Sequence, residues 1–146
     1  MTDIVIVPFI PAHLNNIRLH SYMGYMQEHV SSEEYANMLV GENSFTGVKD
    51  DGEVLGSAGI IQLGINRWAA WALLTASSGK HMLKFAREVK KFLDNNPKPR
   101  VETHVRHDFP QGHKLMKVLG FENETPNGMK NYGEEGMTYD LYARTT

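Results

Sequence analysis

The sequence of 146 residues predicts an α+β (mixed α/β) fold, in which about four helices flank a central, mostly antiparallel twisted sheet of six to seven strands. One observation behind this prediction is the dipeptide Asp51-Gly52, which favours a tight hairpin turn between two β-rich segments. The other is the order of the periodic segments, β-α-α-β-β-β-α-β-α-β with an optional further strand near the end. The length suits a single domain over residues 1–146, and no change in composition marks a second one.

The segments before that turn predict one strand and two helices. Residues 3–8 (DIVIVP) form a short β-branched run, which is typical of a strand. Apolar residues at mixed helical spacings predict a helix over residues 12–26. The run SSEE at residues 31–34 starts a second helix, because a serine can cap it and the acids lie in its first turn, and Gly41 ends it.

The middle of the chain contains the hairpin, a buried strand and a long helix. Residues 45–49 and 54–62 form the two arms of the hairpin. Residues 67–75 are apolar nearly throughout, which indicates a strand at the centre of the sheet. From Lys80 onward, apolar residues keep a helical spacing until the NNP run at residues 95–97 ends the helix.

The C-terminal part predicts a strand, a short helix and a closing strand. Residues 100–105 alternate Val and Thr with Glu and His, which indicates a strand. Residues 111–119 predict a short helix that ends at Gly120. The polar, glycine- and asparagine-rich residues 123–136 predict a loop, and the alternation over residues 137–143 predicts the last strand.

Composition and charge exclude several classes of function. Lysine and arginine number 15 against 17 acidic residues, so the net charge of -2 offers no basic excess for binding nucleic acid. The apolar run at residues 68–74 is far shorter than the roughly 20 residues of a membrane-spanning helix. Cysteine is absent, which excludes disulfides and favours a reducing compartment, and the first residues lack the pattern of a signal peptide. We therefore expect a cytoplasmic protein that binds neither nucleic acid nor membrane.

The element order and two segments resemble a known superfamily. DDGEVLGSAGI (residues 50–60) and KLMKVLGFENE (residues 114–124) resemble the second hairpin and the late helix of the GNAT superfamily of N-acetyltransferases. The resemblance covers nearly the whole chain. It implies a GNAT-like fold, acetyl-CoA as a co-substrate that is not tightly bound, and acetyl transfer to an amine by direct attack. The resemblance does not say whether the amine acceptor is a small molecule or a protein. It also leaves open whether the chain forms a homodimer.

The chain also resembles the GNAT-like internal virion proteins of short-tailed bacteriophages. These proteins have a similar layout, in which an SGK sequence is followed by a helix, a strand and a second helix. The resemblance implies an alternative, namely a catalytically inactive structural or accessory phage protein that is located in the virion and has partners there.

The stretch TASSGKHML (residues 75–83) falls where the GNAT superfamily places its pyrophosphate loop and the start of the next helix. A serine hydroxyl, a glycine and the free N–H groups of a first helical turn form a site for an anion, to which Lys80 and Lys84 add positive charge. The alternative is a lysine that extends into water. The resemblance implies that the coenzyme is held by the strand end and the loop, at Leu73, Leu74, Thr75, Ser77, Ser78, Gly79, Lys80 and His81.

The chain departs from the superfamily at some functional positions. Ala76 and His81 stand where the loop usually has Arg or Gln and then Gly or Ala. Met116 stands where a tyrosine usually acts as general acid toward the CoA thiolate, and a thioether cannot donate a proton. Three C-terminal tyrosines are candidates to replace it, namely Tyr132, Tyr139 and Tyr142.

A histidine cluster follows the strand over residues 100–105. The pattern H-x-x-H-D from His104 to Asp108 invites a metal site, but the side chains of a strand and a turn need not converge, so we expect no metal. The resemblance implies instead that this strand end faces the acetyl-transfer site. His104 or His107 is then a candidate general base, because a neutral imidazole accepts a proton at pH 7. Glu102 is a candidate to orient His104. The alternative is that both histidines are surface side chains.

Overall fold

The computed structural model describes residues 4–15, 17–19, 26–30, 32–41, 43–75 and 79–146, and of Glu28, His29 and Lys80 it describes the backbone only. Its strands and α-helices, in chain order, are β1 (Ile4–Pro8), α1 (Gln27–Val30), α2 (Glu33–Met38), β2 (Ser44–Lys49), β3 (Val54–Gln62), β4 (Trp68–Leu74), α3 (Met82–Asn95), β5 (Arg100–Arg106), α4 (Pro110–Leu119), β6 (Glu122–Asn123) and β7 (Tyr139–Thr145). The strands form one sheet in the order β1-β2-β3-β4-β5-β7-β6. The predicted α+β fold with a mostly antiparallel sheet is confirmed.

The hairpin predicted at Asp51-Gly52 joins β2 and β3. The two strands pair antiparallel, with Ser44 opposite Gly59. Gly52 has a φ angle of 92°, which glycine adopts without strain, and its N–H donates to the carbonyl of Lys49. Both arms begin and end within one residue of the predicted bounds.

The last strands bring the end of β5 beside the start of β7. β5 begins parallel to β4, where Trp68 pairs with Val101. It runs antiparallel to β7 over its whole length, so that Val105 pairs with Asp140. The short strand β6 pairs antiparallel with β7 as well. This register places the predicted histidines of β5 next to residues of β7.

The chain divides into two compact units. The first contains Met1–Ile61 and Trp71–Glu88, and the second contains Gln62–Ala70 and Val89–Thr146. The prediction of a single domain stays a prediction. One buried apolar cluster of the first unit contains Phe9, Leu14, Leu19, Val30, Ala36, Leu39 and Leu73.

In the second unit, α4 lies close to β5 because a glycine stands at the contact. A methyl group built on Gly112 would come within 2.6 Å of the Val105 side chain, so a larger residue would push the helix away. Met116 and Leu119 on the same helix are buried. Gly120 ends α4 in the left-handed conformation, as the sequence predicts. The helix therefore holds the end of β5 in place.

The prediction of a helix over residues 12–26 is wrong for the residues of this range that the structure describes. Pro11–Leu14 forms only a 3₁₀ turn, Asn15 is extended, and Leu19 makes a β-bridge to Thr75. Leu19 is buried, so its contacts with the core outweigh a weak helical pattern. Residues 20–25 lie outside the described part of the chain. None of the helices in the described ranges combines the length and the apolar character needed to cross a bilayer.

Candidate functional site

The residues predicted to bind the coenzyme all belong to the first unit, where β4 ends and α3 begins. Leu73 and Leu74 are buried at the end of β4. At Thr75, both the backbone N–H and the side-chain hydroxyl donate to the carbonyl of Leu55, at 3.1 and 2.9 Å. The N–H of Thr75 is thus already engaged within the sheet.

The helix start after β4 is described from Gly79 onward. Ser77 and Ser78 lie outside the described residues, and the same holds for the side chain of Lys80. Gly79–His81 forms a 3₁₀ turn that leads directly into α3, and the first turns contain no acidic residue. A methyl group built on Gly79 would meet no atom of the described residues within 4 Å. This helix start offers backbone N–H groups and the positive end of the helix dipole, both of which favour an anion.

His107 lies directly after β5 in the second unit and is held by a buried carboxylate. Its Nδ1 is 2.7 Å from Oδ1 of Asp140, a residue that is only 2% exposed. The backbone N–H of His107 donates to the carbonyl of Thr138 at 2.9 Å. The His107 side chain nevertheless remains 47% exposed, and no group in the described residues is hydrogen-bonded to its Nε2. The ring thus has one nitrogen held by the carboxylate and one without a hydrogen-bond partner in the described part of the chain.

His113, from α4, supports this arrangement from the other side. Its Nε2 is 2.8 Å from the backbone carbonyl of His107, and its Nδ1 is 2.7 Å from the hydroxyl of Tyr142. A carbonyl only accepts, so Nε2 carries the proton and, in the neutral ring, Nδ1 accepts from the tyrosine. Burial and the charge of Asp140 raise the pKa of Tyr142. Among the described residues, no three potential ligands converge as a metal ion would need.

His104 stands in a different environment, among aromatic rings. Its ring lies edge-on to those of Tyr132 and Tyr139, with centroids 5.3 and 5.2 Å away. The residue is exposed at its surface, yet burial of part of the ring lowers the pKa of His104, and the charge of Glu135 only partly opposes this. The cause is that burial disfavours the charged imidazolium.

The expectation that Glu102 orients His104 is wrong. The carboxylate of Glu102 forms ion pairs with Arg100 at 2.6 Å and with Arg67 at 2.8 Å. Two guanidinium groups are available on that part of the sheet, and an arginine donates a stronger, charge-assisted hydrogen bond than a neutral imidazole does. The histidine that has a carboxylate partner is His107.

Comparisons with known proteins give no match to a family model or to a curated protein at the level of sequence. Solved structures match well. A spermidine N-acetyltransferase chimera from Vibrio cholerae SpeG and hSSAT aligns with a TM-score of 0.68 at 14% identity, covering 97% of this chain and 95% of that chain. A GCN5-related N-acetyltransferase from Kribbella flavida aligns with a TM-score of 0.66 at 13% identity, covering 98% of each chain. A GNAT-family acetyltransferase from Bacillus anthracis has a TM-score of 0.64 at 14% identity, with 97% of this chain and 94% of that chain covered.

The chain has the GNAT fold. This confirms the fold that the resemblance implied, and the neighbours are N-acetyltransferases. At these identities the likeness concerns the fold alone.

Within this GNAT fold, the position of the usual tyrosine acid is a core position. Met116 is buried on α4. Of the three candidate replacements, Tyr139 donates its hydroxyl to Glu135 at 2.7 Å and Tyr142 is bonded to His113. Tyr132 is exposed and packs against His104. Two of the three hydroxyls are thus engaged inside the protein.

Sequence reasoning missed Asp140 and Asn123. Oδ2 of Asp140 accepts a hydrogen bond from Nδ2 of Asn123 at 2.9 Å, while Oδ1 faces His107. One signal was available, because Asp140 is the only charged residue in the apolar run from Met137 to Ala143. Alternation along the strand places Asp140 on the face opposite Tyr139 and Leu141.

Proposed function

We propose that the chain is an acetyl-CoA-dependent N-acetyltransferase, in which an amine attacks the thioester directly. The observation that carries the proposal is the GNAT fold over almost the whole chain, shared with N-acetyltransferases. The neighbours do not favour the alternative of a catalytically inactive phage protein. Acetyl-CoA acts as a co-substrate that is bound and released in each cycle.

The coenzyme diphosphate is proposed to bind at the start of α3. Gly79 lets the phosphate oxygens approach the backbone closely, and no acidic side chain opposes them in the first turn. Lys80 is proposed to pair with the phosphate, together with Ser77, Ser78 and His81. The backbone of Leu73 and Leu74 is proposed to contact the pantetheine arm, and Thr75 to take part through its carbonyl because its N–H is bonded to Leu55.

The acceptor amine requires a base before it can attack. An alkylamine resembles the lysine side chain, whose pKa is about 10.4, so it is protonated at neutral pH. His107 is proposed to take that proton at its exposed Nε2. The amine nitrogen then bonds to the acetyl carbon, the carbon–sulfur bond breaks with its electron pair leaving on sulfur, and the nitrogen releases its second proton to water as the amide forms. A thiol has a pKa of about 8.5, so the thiolate can leave and take a proton from water, and the methionine at the usual acid position does not prevent the reaction.

The first experiment is a calorimetric titration with acetyl-CoA. Wild-type protein is expected to bind in the micromolar to low-millimolar range. Lys80→Glu removes a charge-assisted hydrogen bond, worth about 1.5–3 kcal/mol, and should weaken binding by at least tenfold. Lys114→Glu, an equal charge change at an exposed position on α4, should leave the affinity unchanged. No heat with wild-type protein refutes the function, and equal affinities in all three proteins refute the placement of the diphosphate.

The second experiment measures thiol release with a panel of amines. Spermidine belongs in the panel because SpeG is named as a spermidine N-acetyltransferase. His107→Gln is expected to lower kcat/KM by about 100-fold or more, the usual contribution of a general base. His104→Gln is expected to have a much smaller effect. Turnover that is insensitive to both substitutions discards a histidine base.

A further inference from the structure

We propose that Asp140 is a positioning residue for catalysis, and that it makes His107, rather than His104, the base by holding its imidazole in the tautomer whose Nε2 is unprotonated. This inference rests on the proposed function, but it assigns roles to Asp140 and Asn123, which neither the fold nor the resemblance assigns. It is carried by the hydrogen-bond geometry around the buried carboxylate.

The tautomer of His107 follows from the chemistry of its partner. An ionised carboxylate has no proton to donate, so the 2.7 Å contact between Asp140 Oδ1 and Nδ1 requires the proton to be on Nδ1. A neutral imidazole carries only one ring proton, and Nε2 therefore keeps its lone pair. Since the His107 side chain is 47% exposed, that lone pair is accessible to a ligand. Among the described residues, neither ring nitrogen of His104 has a carboxylate partner of this kind.

The carboxylate itself cannot turn. Its second oxygen accepts from Nδ2 of Asn123 at 2.9 Å, and the orientation of that amide is fixed because its own oxygen accepts the backbone N–H of Thr125 at 2.9 Å. A buried carboxylate is costly unless both of its oxygens are hydrogen-bonded, and here both are. Asn123 therefore fixes Asp140, and Asp140 fixes the ring.

The backbone of His107 is held as firmly as its side chain. Its N–H and its carbonyl are hydrogen-bonded to Thr138 and to the His113 ring, respectively. Gly128 lies against the imidazole, and a methyl group built there would stand 3.3 Å from Nδ1 and 2.5 Å from the Thr138 side chain. The residue is thus held at Nδ1 and along its backbone, while Nε2 has no hydrogen-bond partner among the described residues. In the transfer step Nε2 takes the amine proton, and the negative charge of Asp140 stabilises the imidazolium that forms.

Substituting Asp140 by asparagine should invert the tautomer. The amide of Asn123 donates toward position 140, so the amide introduced by Asp140→Asn must turn its oxygen to Asn123 and its NH₂ to His107. Nδ1 then has to accept, the ring proton moves to Nε2, and the base is blocked. The double variant Asn123→Asp/Asp140→Asn exchanges the two groups, so that the amide at position 140 donates to the carboxylate at position 123. The oxygen of the amide at position 140 then faces His107 and accepts from Nδ1. The double variant should restore the proton to Nδ1 and part of the activity, which a purely structural role of Asp140 does not predict.

The experiment combines nitrogen NMR of the histidine rings with kinetics. In wild-type protein, the His107 signals, assigned with His107→Gln, should show a protonated Nδ1 and an unprotonated Nε2. Asp140→Asn should exchange the two and lower kcat/KM by at least about 100-fold, since the same change in a serine protease triad costs about 10⁴. Acetyl-CoA affinity should change by less than about threefold. Asp108→Asn, an exposed change one residue from His107, is the matched control and should alter neither readout.

The outcomes separate this inference from the proposed function. Wild-type protein that binds no acetyl-CoA or acetylates no amine overturns the proposed function. Wild-type turnover that survives Asp140→Asn in a folded protein overturns only the role of Asp140. A proton on Nε2 in wild-type protein overturns it as well, and this measurement does not depend on whether Asp140→Asn folds. Restored turnover and tautomer in the double variant support it.

Discussion

Gly59 in β3 gives a stability prediction that can be worked out from the structure. It pairs with Ser44, and a methyl group added to it would lie 2.5 Å from the carbonyl oxygen of Asn43 and 2.9 Å from Cα of Ser44. These atoms are backbone or lie next to it, so they cannot rotate away. The Asn43 carbonyl also accepts the N–H of Ile60 at 2.9 Å, and moving it strains that hydrogen bond.

Two effects of Gly59→Ala oppose each other. Overpacking a well-packed site costs about 1–3 kcal/mol, and a weakened backbone hydrogen bond adds up to about 1 kcal/mol. Against this, removing a glycine restricts the unfolded chain and stabilises the protein by about 0.4–1 kcal/mol. The clash is the larger effect, so we expect a net loss of about 1–3 kcal/mol. At roughly 4 °C per kcal/mol for a chain of this size, Tm should fall by about 4–12 °C.

The assay is thermal unfolding followed by circular dichroism, with Gly64→Ala as the control. A methyl group built on Gly64 would meet no atom of the described residues within 4 Å, so only the effect on the unfolded chain applies and Tm should stay the same or rise slightly. The two variants make the same chemical change with opposite expected signs. A Tm for Gly59→Ala at or above that of wild type would refute the argument from the close approach of β2.

Two further predictions follow from single contacts. Because burial lowers the pKa of His104, the unfolded chain binds more protons than the folded one as the pH falls through about 6.5, and stability declines there. The variant His104→Phe keeps the aromatic packing, and its Tm should fall less steeply between pH 8 and pH 5 than that of wild type. An equal slope in both proteins would show that His104 does not cause the pH dependence. Ser32 caps α2 by accepting the N–H of Tyr35, so Ser32→Ala should cost about 1 kcal/mol while Ser32→Asp keeps the stability. Equal chemical-denaturation midpoints for the two Ser32 variants would exclude the cap.

The elements whose signals are local were predicted well. β3 has the bounds that the sequence predicts, and the Asp51-Gly52 turn and the Gly120 helix end lie where the turn chemistry indicates. The helix over residues 12–26 was not predicted correctly, since its apolar residues follow no clean period and the tertiary contacts of Leu19 decide its backbone. A strong local preference survives folding, and a weak one yields to the core.

The sequence by itself determined the longer strands, the long helix with its start near Lys80, and the presence of histidines at the end of β5. Only the tertiary structure decided which histidine has a carboxylate partner. His107 and Asp140 are 33 residues apart, and they meet because β5 and β7 pair in the register that sets Val105 opposite Asp140. That register depends on the packing of the whole sheet, and a shift by one residue would turn the side chain of Asp140 to the other face. No local pattern encodes it, so the pairing of base and carboxylate could be found only in the folded chain.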